Sequence, residues 1–282
     1  MQEYSIEKTY GEMKHFRIKS LGVLAVVLSL LTATVSIFLG NPFTHKVTVA
    51  FFTYMEEGWI TGKIYIWFLV CFMAFIIVRK WQKKYVQKIT KPYMELLTDE
   101  CDALCLKELT YRGVVHGKSN EKHTDKYTQL CFEWLYVLAL NAREEHREML
   151  DYLQQSWGSL KRKRLYGTLL IQTEMNVCSM DGDINRYMEL YKTLPKRLKK
   201  DPFCLAQIHW VQGNYESMME ALGTVKTKNN FQKVKLAFAK GRCYARMKRW
   251  EEAIEQFDYV IEHGNTLGCR QLAIEIKEEI LL

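Results

Sequence analysis

Proline is scarce in this chain: four in 282 residues, of which only three, at 92, 195 and 202, lie beyond residue 79. So few breaks leave room for long helices, and nothing beyond residue 79 alternates apolar with polar side chains as a half-buried strand would. Sheet architectures are thereby excluded for that region. Chemical signatures are missing too. None of the eight cysteines stands in a C-x-x-C pair, and the chain holds no Gly-rich phosphate loop, no nucleophile elbow and no H-E-x-x-H. No residue is nominated as catalytic and no cofactor is implied. Cys101 and Cys105, four apart, with His116 and His123 downstream, are chemically able to ligate zinc. Their spacing fits no common zinc module, so no metal site is assigned. Isolated cysteines in a reducing compartment read instead as small apolar core residues.

Charge is missing from two places. Residues 21–40, LGVLAVVLSLLTATVSIFLG, carry none, and residues 59–78, WITGKIYIWFLVCFMAFIIV, carry only Lys63. A helix rising about 1.5 Å per residue needs about 20 residues to cross a hydrocarbon layer about 30 Å thick. A signal peptide would be shorter and nearer the start, and a soluble core helix would keep a polar face. Two membrane spans account for both runs.

Cations set the expected orientation. Lys14, Arg17 and Lys19 precede the first run, and Arg79, Lys80, Lys83, Lys84, Lys88 and Lys91 follow the second, whereas the loop 41–58 between them has only Lys46 against Glu56 and Glu57. Lys and Arg accumulate on cytoplasmic flanks. The expectation is a two-pass protein of the cell membrane with both termini cytoplasmic. Trp81 and Tyr85, among the cations Arg79, Lys80, Lys83 and Lys84, read as interface anchors toward anionic headgroups, and Lys63 as a side chain that snorkels to the outer surface.

Residues 79–282 carry 34 Lys and Arg against 27 Asp and Glu. Much of that excess is juxtamembrane and the rest alternates with glutamate, which argues for lipid rather than nucleic acid as the basic partner. Helical spacing dominates. In QKVKLAFAKGRCYARMKRWEEAIEQFDYVIE, 232–262, the small Gly241 and Ala253 allow two helices to approach while Tyr244, Phe257 and Val260 fill the seam. The turn recurs with anchors at Met218 and Tyr187, and in weaker form before His146.

This pattern resembles the tetratricopeptide repeat, over residues 125–282, with Ala237 and Lys240 departing from its usual aromatic and leucine. The whole plan looks like bacterial membrane proteins that carry such repeats. The expected fold is all-α: an N-terminal segment 1–20, a transmembrane hairpin 21–78, a juxtamembrane basic segment and linker helix 79–124, with one helix from Pro92 through Leu109, and a cytoplasmic α-solenoid 125–282. The resemblance implies a concave groove lined by the first helix of each unit. It nominates Gln172, Asn176, Phe203, Gln207, Trp210, Lys235, Phe238 and Arg242 for an extended peptide. His146, in REEHRE, reads as part of a solvated face. A membrane-tethered adaptor that recruits a protein or peptide partner is the expected function. Two alternatives stay open: an accessory subunit of a transporter or secretion complex, acting through spans with small residues at Gly22, Ala25 and Ala33, and an enzyme with a site hidden in the helical region.

Overall fold

A computed structural model describes residues 6–39, 59–119, 126–155 and 166–282, and all side chains among these except those of residues 17, 30–39, 59–71, 74, 126 and 127. Every element among them is a helix, so the described fold is all-α. In chain order these are α1 (Ile6–Leu39), α2 (Trp59–Thr98), α3 (Ala103–Ser119), α4 (Lys126–Ala142), α5 (His146–Gln155), α6 (Tyr166–Asp181), α7 (Ile184–Thr193), the single turn α8 (Lys196–Lys199), α9 (Pro202–Val211), α10 (Tyr215–Gly223), α11 (Asn230–Arg246), α12 (Trp250–His263) and α13 (Gly268–Leu281). The chain divides into two compact units, Glu7–Thr90 and one made chiefly of Lys91–Leu282.

In the first unit both helices outrun the apolar stretches. α1 begins at Ile6, so the segment before residue 21 continues the helix, and α2 passes through Pro92. Tyr10, Met13, Phe16 and Ser20 recur at helical spacing and are buried. Phe16 stacks on Tyr85 of α2 with ring centroids 3.6 Å apart and meets the edge of Trp81 at 4.7 Å. Gln82 donates to the Ser20 hydroxyl at 2.9 Å. Other large apolar side chains do the opposite: Ile18, Leu21, Val23, Val26, Phe72, Met73, Phe75 and Ile77 face outward. Among the described residues no helix is long and apolar enough to cross a membrane. Most of both expected spans, with Lys63 and the loop 41–58, lies outside the described residues or side chains.

The second unit is built on one turn used five times. Cys101, Glu144, Gly182, Gly213 and Lys248 each have φ between 55° and 75°, the left-handed conformation that ends a helix. After four of them the next residue's amide reaches back five residues: Glu145 to the Leu140 carbonyl, Asp183 to Cys178, Asn214 to His209 and Arg249 to Tyr244, at 2.9–3.1 Å. Five positions beyond each left-handed residue stands a buried anchor, Leu106, Met149, Tyr187, Met218 and Ala253. The same bond and the same buried position recur because each turn sets the next helix at one angle onto the last. The weakest unit is thus anchored by Met149 rather than His146.

This geometry corrects two boundaries. The helix expected from Pro92 through Leu109 breaks at 99–102, where Cys101 turns the chain, and α3 packs along α4. The contact is close: a β-carbon on Gly113 would lie 2.4 Å from the Phe132 ring, as one on Gly241 would lie 2.8 Å from Phe257. The turn-and-anchor pattern thus already occurs at Cys101 and Leu106, ahead of residue 125.

Each helix packs chiefly on its neighbours in sequence, as in a solenoid. The array nevertheless returns to its start. In the turn before α13, the Asn265 amide donates to the Glu100 carbonyl at 3.0 Å and the Thr266 hydroxyl to the Asp102 carboxylate at 2.8 Å, while Arg143 donates to the Thr266 carbonyl at 3.1 Å. Asn230, opening α11, donates to the Asp99 carbonyl at 3.0 Å. Gly268 lies so close that a β-carbon there would stand 2.0 Å from the Arg143 carbonyl oxygen. Only glycine fits, and the last turn wedges against the first two.

Candidate functional site

Closure folds the first helices of the repeats around a shared inner face, and most of the nominated polar side chains meet there. Lys235 of α11 forms an ion pair with Glu144, whose second carboxylate oxygen lies 2.9 Å from His146 Nε2. His146 Nδ1 is 3.5 Å from the Asn176 amide of α6, and Gln207 of α9 donates to the Asn176 carbonyl oxygen at 2.8 Å. Further along, the Arg242 guanidinium lies 4.1 Å from the centre of the Trp210 ring and 5.6 Å from that of Phe238, and Arg246 reaches the same indole at 5.6 Å. Lys235 and Glu144 sit deep in the unit, yet about a quarter of each side chain (24% and 22%) stays open to water. They are half-buried polar side chains, not part of the apolar core.

Glu144 is what the sequence reading missed. It occupies the left-handed position where Gly182 and Gly213 stand in other units, at φ 59°. A residue with a β-carbon is disfavoured there. Its side chain gives the compensation. Burial alone would raise the carboxyl, but the Lys235 charge and the His146 hydrogen bond outweigh it and hold the group at about 2. The same carboxylate, against a desolvation that acts the other way, raises Lys235. REEHRE is therefore not a solvated face, since His146 is buried at 7% exposure. The available signal was positional: a glutamate where the repeat wants glycine.

The other nominated residues divide. Phe238 is buried and Phe203 packs on the core of Ala206, Met218, Leu222 and Cys243, so both aromatics serve packing rather than the polar inner face. Gln172 is half-buried on α6, one turn before Asn176. Trp210 also borders a cavity of about 190 Å3 together with Tyr187, Tyr215, Arg246 and Asp183. Among the membrane-facing nominees, Arg79, Lys80, Lys83 and Lys84 are exposed, Arg79 lies over the Phe75 ring at 5.1 Å, and Trp81 and Tyr85 divide their surface between Phe16 and solvent.

Burial raises the thiols of Cys101, Cys243 and Cys269 to about 11 and pushes Cys105, Cys178 and Cys204 upward as well, with nearby acids adding to it. Such thiols stay protonated at neutral pH and are poor nucleophiles. Among the described residues no three His, Cys, Asp or Glu side chains are grouped to hold a metal; His123 lies outside them. Compared with protein-family models, curated proteins and solved structures, the chain matches none.

Proposed function

We propose that this protein is a membrane-tethered adaptor: a two-span hairpin holds a tetratricopeptide-like helical array at the cytoplasmic face of the cell membrane, and the array's inner face recruits a protein or peptide partner. The observation that carries the tether is the outward belt of α1 and α2. Ile18, Leu21, Val26, Phe72 and Ile77 are 51–63% exposed while Ser20 between them is fully buried. Outward apolar side chains at several successive turns favour a nonpolar surrounding. The exposed cations Arg79, Lys80, Lys83 and Lys84 follow on the same helix, where anionic headgroups attract them. Tethering raises the local concentration of whatever the array binds without any new contact.

The Asn176 and Gln207 amides, with the Trp210 indole and the arginines about it, support the recruiting role, since amides satisfy an extended backbone. A second reading is favoured by Gly22: among the described residues nothing lies within 4 Å of a β-carbon placed there. Open space at a small residue allows a helix of another membrane protein to approach, which would make the chain an accessory subunit of a transporter or secretion complex.

Crosslinking in intact membranes followed by affinity capture separates the two. The native chain is compared with Asn176→Arg plus Gln207→Arg, which crowds the inner face, and with a chain whose spans are exchanged for an unrelated hairpin. The adaptor reading expects the partner to be lost in the first variant and kept in the second. Loss only on exchanging the spans overturns it in favour of the subunit reading.

A further inference from the structure

Hydrogen bonds run in one direction through side chains of α5, α6, α9 and α11. Glu144 can only accept, so both its neighbours donate to it: Lys235 through its ammonium, and His146 through Nε2, 2.9 Å away. At the other end Gln207 donates its NH2 to the Asn176 carbonyl oxygen at 2.8 Å, which turns the Asn176 NH2 toward His146 Nδ1 at 3.5 Å. An NH2 group has nothing to accept with, so Nδ1 must offer its lone pair. The donors thus set one form of His146 from both sides, the neutral ring with its proton on Nε2.

A second arrangement satisfies the same atoms. With a proton added, Nδ1 becomes a donor facing a donor; the Asn176 amide must turn over to accept from it, and Gln207 must turn over to accept from Asn176. Glu144 favours the added charge, Lys235 and Arg242 of α11, both acting on Glu144, oppose it, and Cys269 of α13 is a neutral thiol beside them. Other charges of the adjoining elements are engaged elsewhere: Arg143 with Glu145, Lys107 of α3 with Glu145 and Glu148, Arg147 with Asp181 of α6, and Glu174 of α6 with Arg186. Glu133 of α4 accepts from Gln129. Gln207 is half-buried, and its carbonyl oxygen has no bond among the described residues. That oxygen is the free end in the neutral arrangement, and the NH2 is the free end in the charged one.

We infer that a proton taken up by His146 reverses the Asn176 and Gln207 amides, and so changes what Gln207 offers a partner from an acceptor to a donor. The switch is local to the array. Its use, the release on protonation of a peptide N–H held at the Gln207 oxygen, rests on the adaptor reading.

Nuclear magnetic resonance of the full chain in nonionic detergent, with 15N in the histidine rings and in the asparagine and glutamine amides, tests the switch; His146→Gln identifies the His146 signals. The expected result is a neutral Nε2–H ring at alkaline pH that gains its second proton in one step, with the Asn176 and Gln207 NH2 signals moving at the same midpoint. Asn176→Asp supplies an acceptor that needs no reversal, so it should raise that midpoint by about one pH unit or more. A ring with its proton on Nδ1 at alkaline pH, amides that stay still while His146 titrates, or an unmoved midpoint in Asn176→Asp overturns the switch. Membrane capture at about pH 8 and about pH 5.5 tests its use: the native chain should lose about fivefold of its partner at the lower pH, and His146→Gln should show no such ratio. Equal capture by the native chain at both values, with the amides reversing, overturns the use and leaves the adaptor. Reversing amides with no partner at either pH keep the switch and sink the adaptor.

Discussion

The two units differ in how much apolar surface their helices leave outside. In residues 91–282 the apolar anchors Leu106, Met149, Tyr187, Met218 and Ala253 are inside, and most charges are outside. In residues 7–90 Tyr10, Met13 and Phe16 are inside with a fully buried serine bonded to a glutamine, while Ile18, Leu21, Val26, Phe72 and Ile77 face outward. The difference lies in what each unit leaves outside, and the outward Ile18, Leu21, Val26, Phe72 and Ile77 of the first unit are the surface on which the proposed tether rests. A second contrast lies within the array, where one cation of the inner face is neutralised by Glu144 and two are not.

The sharpest way to break the first contrast is to disrupt the array alone. Gly268→Val drives a side chain into the Arg143 backbone, and no rotamer relieves a clash 2.0 Å from a carbonyl oxygen. Stability of residues 91–282 should fall by about 3 kcal/mol, read as a lower urea midpoint for the array, with the hairpin's membrane association intact. An unchanged midpoint would mean that the last turn does not close on the first two.

Glu144→Gln comes next. It leaves Lys235 without its counter-charge at a partly wetted position, for an expected loss of about 2 kcal/mol at neutral pH. The pH dependence has a definite sign. Glu144 is held near 2 in the folded chain against an ordinary 4.5, so its contribution is fully present above about pH 5 and is lost as the pH falls toward 2. The gap between native and variant melting temperatures should therefore close on acidification across that window. A gap constant from pH 7 to 3 would show that the carboxylate's charge is not what stabilises the turn.

Phe16→Ala is the mildest test and acts on the hairpin alone. Removing a ring stacked on Tyr85 and edge-on to Trp81 should cost about 1 kcal/mol beyond the lost area, seen as faster proteolysis between α1 and α2 with the array's melting unaffected. Equal losses in both units would erase the distinction between them.

Much of this was legible in residues. Scarce proline and helical spacing gave an all-α fold, and small-against-large pairs such as Gly241 with Phe257 located the hairpin seams correctly. The first two repeats were harder, because their turns use Cys101 and Glu144 where later ones use Gly182 and Gly213. A left-handed cysteine or glutamate shows in the sequence only by its place in the repeat, because tertiary contacts and not the residue type stabilise it. Ring closure was invisible for the same reason: Thr266, Asn265 and Asn230 read as ordinary loop and cap residues until the backbone atoms they reach are known. The resemblance to the repeat nominated Asn176, Gln207, Trp210, Lys235 and Arg242 together. It did not show that Lys235 already has a partner within the chain.

The central claim, that the hairpin lies in a bilayer, is tested most directly by alkaline carbonate extraction of membranes, comparing the native chain with Val26→Arg plus Phe72→Arg. Each arginine in an apolar span costs roughly 2.5–3.5 kcal/mol. The account predicts that the native chain stays in the membrane pellet and the double variant moves to the supernatant. A native chain released by carbonate would contradict it, and the outward apolar belt would then need a protein partner rather than lipid to cover it.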